Sequence, residues 1–171
     1  MLETDRLFLR KPDRADLPAW TAFLADIEAT RFIGGPQDAY GAWRNMCLFT
    51  GAWSVQGYSN FSVIEKATGR WVGRAGAWSP PGWAGQEIGW AFSRDVWGKG
   101  YAMEAAICCL IWAFDDLGWK EAVHVIHPEN AASVALAKRL GAVPREPDGD
   151  HQNLIYVSTR DTLALNSAAA R

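Results

Sequence analysis

At 171 residues the chain is long enough for one domain with a good core, and 49% hydrophobic against 21% charged residues excludes a disordered class. A net charge of −2, with Lys and Arg scattered, offers no basic footprint for nucleic acid. The apolar run Ala102–Phe114 is too short to span a membrane and is interrupted by Glu104; Met1–Asp5 lacks a signal-peptide layout.

In chain order, Leu7 and Leu9 alternate with polar neighbours in a first strand that Pro12 ends. Asp13 or Asp16 then caps a helix through about Asp26, and a second helix runs from about Gln37 to Trp53 after the Gly34–Gly35–Pro36 breaker. Phe61, Val63 and Glu65 alternate with polar residues, Thr68–Gly69 turns the chain, and Trp71–Val72–Gly73 opens the partner strand. Ser79–Pro80–Pro81–Gly82 reads as an irregular loop. Glu87–Ser93 is the next strand, followed by a Gly-rich loop and an apolar helix from about Tyr101 to Leu117. A strand over Glu121–His127, a helix over Ala131–Leu140, and two strands flanking the turn Asp148–Gly149–Asp150 complete the pattern. Strands gathered early with two later crossover helices predict an α/β (α+β) mixed sheet with helices on both faces. Residues 1–162 form a single domain; 163–171 are a small, polar tail expected to fray. Cys47, Cys108 and Cys109 are odd in number, with the last two adjacent, which suits a reducing cytoplasm. Together with His124 and His127 they form no metal motif, so no metal is expected; both histidines read as structural.

The segment Arg94–Ala102 concentrates the chemistry. A strand that breaks into a loop containing Trp97, Gly98, Lys99 and Gly100, then opens a helix at Tyr101 and Ala102, leaves unpaired backbone N–H groups at the positive end of a helix dipole. That arrangement binds phosphate, the glycines let an anion approach the backbone, and Lys99 adds charge. A Walker loop is excluded because Gly100 follows Lys99 and the upstream Gly is missing. A dinucleotide fingerprint is excluded because Met103 stands where its third Gly belongs, and the nearest acids, Asp115 and Asp116, lie at the helix end. A tight strand–helix turn without a ligand is the plain alternative.

The pieces TDRLFLRKP, EIGWAF, WGKGYAMEA, HPENAAS and AKRLGA, in that order over roughly Leu2 to Tyr156, resemble the GNAT N-acetyltransferases, and within them the branch typified by RimJ and RimL. Trp97 departs from the family's loop pattern, where Gln or Arg stands first. The resemblance implies a twisted, mostly antiparallel sheet whose central strands, here Glu87–Ser93 and Glu121–His127, splay apart. It implies acetyl-CoA as cosubstrate, its pyrophosphate on Trp97–Ala102 and its pantetheine arm along the exposed strand edge of Trp90, Ala91 and Phe92. A backbone N–H near Trp90 or Phe92 would polarise the thioester. Asn130 would contact the pantetheine arm and Ser133 would lie near the sulfur, although Asn130 also reads as a helix cap. Glu87 is the candidate base, or an anchor for the amine, against a solvated edge-strand glutamate.

The activity implied is acetyl transfer to a primary amine, either a protein N-terminus or a small molecule, by a monomer or homodimer. A non-catalytic acyl-CoA-binding or sensor module is the alternative. Ten Trp residues are mostly expected in the core. Trp43, Trp78 and Trp83, with Trp53 and Trp90, fall where this fold builds its acceptor cleft, and some could form an aromatic wall.

Overall fold

The computed structural model describes residues 1–146 and 152–163. Contacts gather into two compact units: Met1–Gly76 with Trp90–Ala105, and Ala77–Gly89 with Ala106 onward.

In the first unit β1 (Leu2–Glu3) pairs antiparallel with β2 (Leu7–Arg10), which pairs with β3 (Asn60–Glu65), and β3 with β4 (Trp71–Trp78). Leu7 and Leu9 are fully buried, as their alternation predicts. Asp13 caps a 3-10 turn over Arg14–Asp16 through a reciprocal capping box, and α1 (Leu17–Ala25) continues from it. Asp16 gives α1 no side-chain cap; its Oδ2 accepts instead from the Asp13 backbone N–H at 3.1 Å, closing the capping box. Its carboxylate accepts from Arg10 at 2.6 and 2.8 Å and from the Ser62 hydroxyl at 2.6 Å. Burial alone would raise the Asp16 pKa, but the bonds from Arg10 and Ser62 outweigh it and hold the carboxyl below its ordinary value.

A short helix, α2 (Ile27–Thr30), capped by Asp26, follows where no helix was expected. Then comes α3 (Ala39–Val55), capped by Asp38. Trp20 and Trp71 sit 5.5 Å apart, flanked by Phe23 and Phe49. The expected half-solvated pattern of β3 does not hold: all six residues are buried. Its polar side chains are matched instead, Ser62 by Asp16 and Trp71, Glu65 by Thr68 and Tyr101.

In the second unit β6 (Glu121–Ile126) pairs antiparallel with β8 (Leu154–Thr159) over six positions, and β7 (Val143–Arg145) pairs with the other edge of β8. Val123, Ile155 and Val157 form its core on this sheet, and α5 (Ala131–Arg139) connects β6 to β7. Here the start of β5 (Glu87–Phe92) lies parallel to β6, with Glu87 opposite Val123. That ladder has one registered pair. The next carbonyl, Ile88, accepts from the His124 ring at 2.7 Å.

The eight strands hydrogen-bond in the order β1-β2-β3-β4-β5-β6-β8-β7, an open mixed sheet with helices. Strand β5 and helix α4 (Tyr101–Asp115) each run from one unit into the other. The expected turn at Asp148–Gly149–Asp150 lies outside the described residues, as do residues 164–171 of the expected tail. Leu163, at the head of that tail, is buried.

Candidate functional site

The glycine loop takes the strand–turn–helix form. After β5, a 3-10 turn over Arg94–Val96 leads through Trp97–Gly100 into α4. Gly98 and Gly100 have φ of +75° and +82°, which L side chains rarely adopt. The first helical bond runs from the Glu104 N–H to the Gly100 carbonyl, so the helix itself leaves the preceding amides over. A Cβ built on Gly98 would meet nothing within 4 Å; one on Gly100 would come 3.3 Å from Arg6 Nη2. The loop therefore has an open side at Gly98 and a side backed by Arg6. Amides at a helix start, positive-φ glycines and Lys99 fit a pyrophosphate.

Trp97 carries a specific task in this loop. Its indole Nε1 donates to the Phe92 carbonyl at 2.9 Å, tying the loop to the end of β5 while the ring stays half exposed. Tyr101 offers the loop only its backbone, because its ring is buried and its hydroxyl donates to Glu65 Oε1 at 2.6 Å. The Thr68 and Tyr101 hydroxyls lower the Glu65 pKa, and the same Tyr101 bond raises that of the phenol. Ala91 and Phe92 are buried, whereas Trp90 and Ala102 are half-buried.

Sequence reasoning missed the residues behind the loop. Glu104, in the first turn of α4, accepts from the Thr4 hydroxyl at 2.5 Å, from the Arg6 backbone N–H at 2.9 Å and from Arg6 Nε at 2.7 Å. Burial pushes its pKa up, and the bonds from Thr4 and Arg6 bring it below the ordinary value. Arg6 Nη1 also donates to the Lys99 carbonyl at 2.9 Å, and the guanidinium lies 4.6 Å from the Tyr101 ring centroid. No spacing signal joins residues 98 positions apart.

In the second unit, Glu87 is half-buried and its Oε2 accepts from the Trp83 indole at 2.6 Å. Its Oε1 lies 3.4 Å from a Cβ built on Gly89, two residues on, so this carboxylate covers a bare position on its own strand face. Asn130 Oδ1 accepts from the Ser133 N–H at 3.1 Å and caps α5. The cap uses the oxygen alone; the Nδ2 donors take no part in it. Trp78 is half-buried.

His124 is buried, with Nε2 2.9 Å from Ser158 Oγ. Since Nδ1 must donate to the Ile88 carbonyl, Nε2 accepts from the serine. Burial pulls the pKa down to about 4, against a smaller upward effect of that carbonyl.

Trp43 stacks on Tyr40 at 6.1 Å on the exposed face of α3, lining an open groove with Gln37, Asp38, Gly41 and Arg44. Trp53, half-buried, packs against Phe61 at 4.8 Å and donates to the Asn60 carbonyl, with the Lys11 ammonium 4.8 Å from its ring centroid, which ties it to the sheet. Among the described residues no group of His, Cys, Asp or Glu could hold a metal ion.

An open mixed sheet with a glycine loop between its fifth strand and a long helix is the arrangement the sequence resemblance implies. The acetyltransferase (GNAT) domain model matches residues 6–143. The chain belongs to that family. It is 31% identical over 142 residues to the uncharacterized N-acetyltransferase p20 of Bacillus licheniformis, covering 81% of this chain and 80% of that one. It is 30% identical over 151 residues to the uncharacterized protein YkkB of Bacillus subtilis, covering 82% and 83%. The crystal structure of an acetyltransferase from Agrobacterium tumefaciens superimposes with a TM-score of 0.85 at 32% identity, covering 93% of this chain and 94% of that one. Membership implies acetyl transfer from acetyl-CoA, and no helix among the described residues is long and apolar enough to cross a membrane.

Proposed function

We propose that this chain moves the acetyl group of acetyl-CoA onto a primary amine by direct attack on the thioester, as a cytoplasmic enzyme of the RimJ/RimL-like branch. The observation that carries the reading is the glycine loop: positive-φ Gly98 and Gly100 directly before α4. In this reading the amides of Gly98–Ala102 and the Lys99 ammonium hold the pyrophosphate, and Trp97 keeps the loop on β5. Trp90, Ala91 and Phe92 offer backbone groups to the pantetheine arm and the thioester carbonyl. Asn130 keeps Nδ2 for the pantetheine arm while Oδ1 caps α5, so cap and ligand roles coexist.

Glu87 accepts the proton of the incoming amine, directly or through one water, with the Trp83 indole fixing its carboxylate. The amine nitrogen bonds to the acetyl carbon, the carbon–sulfur bond breaks, and the Ser133 hydroxyl stabilises the departing thiolate, whose ordinary pKa is near 8.5. No covalent enzyme intermediate is needed.

The acceptor is a protein N-terminus or a small-molecule amine, met by Trp43, Trp78 and Trp83. An α-amino group with a pKa near 8 needs less help from Glu87 than a lysine amine near 10.4. The three free cysteines support a reducing compartment. Incubation with acetyl-CoA and a panel of peptides and small amines, reading free thiol and acetylated product together, tests the reading. CoA binding without any acetylated product would leave only the acyl-CoA-binding module.

A further inference from the structure

We infer that Arg6 is a positioning residue for the phosphate loop, holding Lys99–Gly100 and the first turn of α4 in the ligand-ready shape before CoA arrives. The inference rests on the acetyl-CoA reading above and extends it to a residue far outside the loop.

Three contacts converge on one guanidinium. Its Nη1 holds the Lys99 carbonyl at 2.9 Å, its Nε and Nη2 hold Glu104 Oε2 at 2.7 and 2.6 Å, and its plane covers the Tyr101 ring. These partners lie on both sides of Gly100, whose φ of +82° is one that L side chains rarely adopt. Gly is free to leave that conformation. A restraint on the preceding carbonyl and on the following helical turn removes that freedom without a side chain at Gly100 itself. Arg6 is in turn held firmly: its own backbone N–H donates to Glu104 Oε1 at 2.9 Å and its carbonyl accepts from the Lys66 N–H at 2.9 Å.

Thr4 completes the arrangement by donating to Glu104 and accepting from the Leu7 N–H at 3.0 Å. The link between β1 and β2 therefore serves as a bracket for the loop. Only the planar fork of arginine can bond a carbonyl and a carboxylate at once while stacking on an aromatic ring; a lysine ammonium cannot. A loop already held in its bound shape spares the ligand the cost of ordering it.

The test compares wild type with Arg6→Met and Arg6→Lys, using CoA in calorimetry, S-acetylpantetheine in turnover, and hydrogen exchange of the loop amides without ligand. Both variants should bind CoA roughly tenfold or more weakly, since ordering the loop falls to the ligand. Turnover of S-acetylpantetheine, which lacks the pyrophosphate, should stay at the wild-type rate. Loop amides 98–102 should exchange faster in both variants while β6 and β8 keep their protection.

Wild-type CoA affinity in both variants would overturn the inference. So would full affinity in Arg6→Lys alone, which would make the contribution one of charge. A parallel loss with S-acetylpantetheine would show general damage and also overturn it. Failure of wild type itself to bind CoA would instead sink the acetyl-CoA reading, and the ligand-free exchange rates would still decide what Arg6 does to the loop. If Arg6→Met does not fold, Arg6→Lys carries the comparison through affinity and exchange.

Discussion

Lowering the pH from 7.5 to 5 should remove about 2 kcal/mol of folding stability through His124 alone. Its ring is enclosed in the second unit, donating to Ile88 and accepting from Ser158, and its pKa is pulled down to about 4 from an ordinary 6.5. Between these two values the unfolded chain binds a proton that the native state refuses, so stability falls as the pH falls. At pH 5 the difference in proton affinity corresponds to about 2 kcal/mol, and by pH 4 it approaches about 3 kcal/mol, at about 1.4 kcal/mol per pH unit. The cost is desolvation, because the Ser158 oxygen could still accept from a protonated ring.

This window lies above that of the carboxylates Asp16 and Glu104. Their lowered pKa values give stability that is present above their ordinary values, near 4, and lost only as the pH drops through the native ones. Urea denaturation of wild type and His124→Gln at half-unit steps separates the two. The wild-type curve should decline from pH 6.5 downward, and the variant, which has no proton to bind there, should stay level to about pH 4.5. Parallel curves, or a flat wild-type curve, would refute the reasoning.

Gly100→Val forces a β-branched side chain onto a φ of +82° and against Arg6 Nη2 at 3.3 Å, a cost of about 1–2 kcal/mol in the loop. Calorimetry of the folded variant should show CoA affinity down by roughly tenfold or more. Ser133→Ala should lower kcat and kcat/KM together by roughly 10- to 100-fold, the worth of one hydrogen bond to a charged group, with the acetyl-CoA KM unchanged in steady-state kinetics. A change confined to KM would make Ser133 a binding residue. Glu87→Gln should cut activity roughly 10- to 1000-fold, and the deficit should shrink at high pH, where solvent deprotonates the amine. An unchanged pH–rate profile would return Glu87 to the role of a solvated glutamate fixed by Trp83.

Local signals carried the elements well. Asp13 and Asn130 stand where their side chains cap the turn and helix that follow them, and the strand–loop–helix order around Gly98–Gly100 is the observed one. These features depend on residues a few positions apart, which is the range a spacing argument can see. Partnerships across the chain were not legible. Asp16 looked like a cap, but its partner Ser62 stands 46 residues away on β3, and that pairing also explains how a strand of mixed polarity is buried throughout. Glu104 stood only as an interruption of an apolar run, with nothing to join it to Arg6 98 residues away. His124 read as structural from its apolar strand, but the Ile88 carbonyl it holds was not foreseeable, since nothing in EAVHVI states which strand lies alongside.

The departure at Trp97 has a physical account: its indole bonds the Phe92 carbonyl and fastens the loop, and the proposed phosphate contacts fall to backbone amides rather than to the side chain at this position.

Mass spectrometry of the full chain with acetyl-CoA and mixed peptide and small-amine acceptors tests acetyl transfer to a primary amine most directly. The account predicts an acetylated amine formed one-for-one with free CoA thiol, lost together in Glu87→Gln and Ser133→Ala. Thiol released with no acetylated amine across the panel, or no turnover at all from a protein that binds CoA, would contradict it.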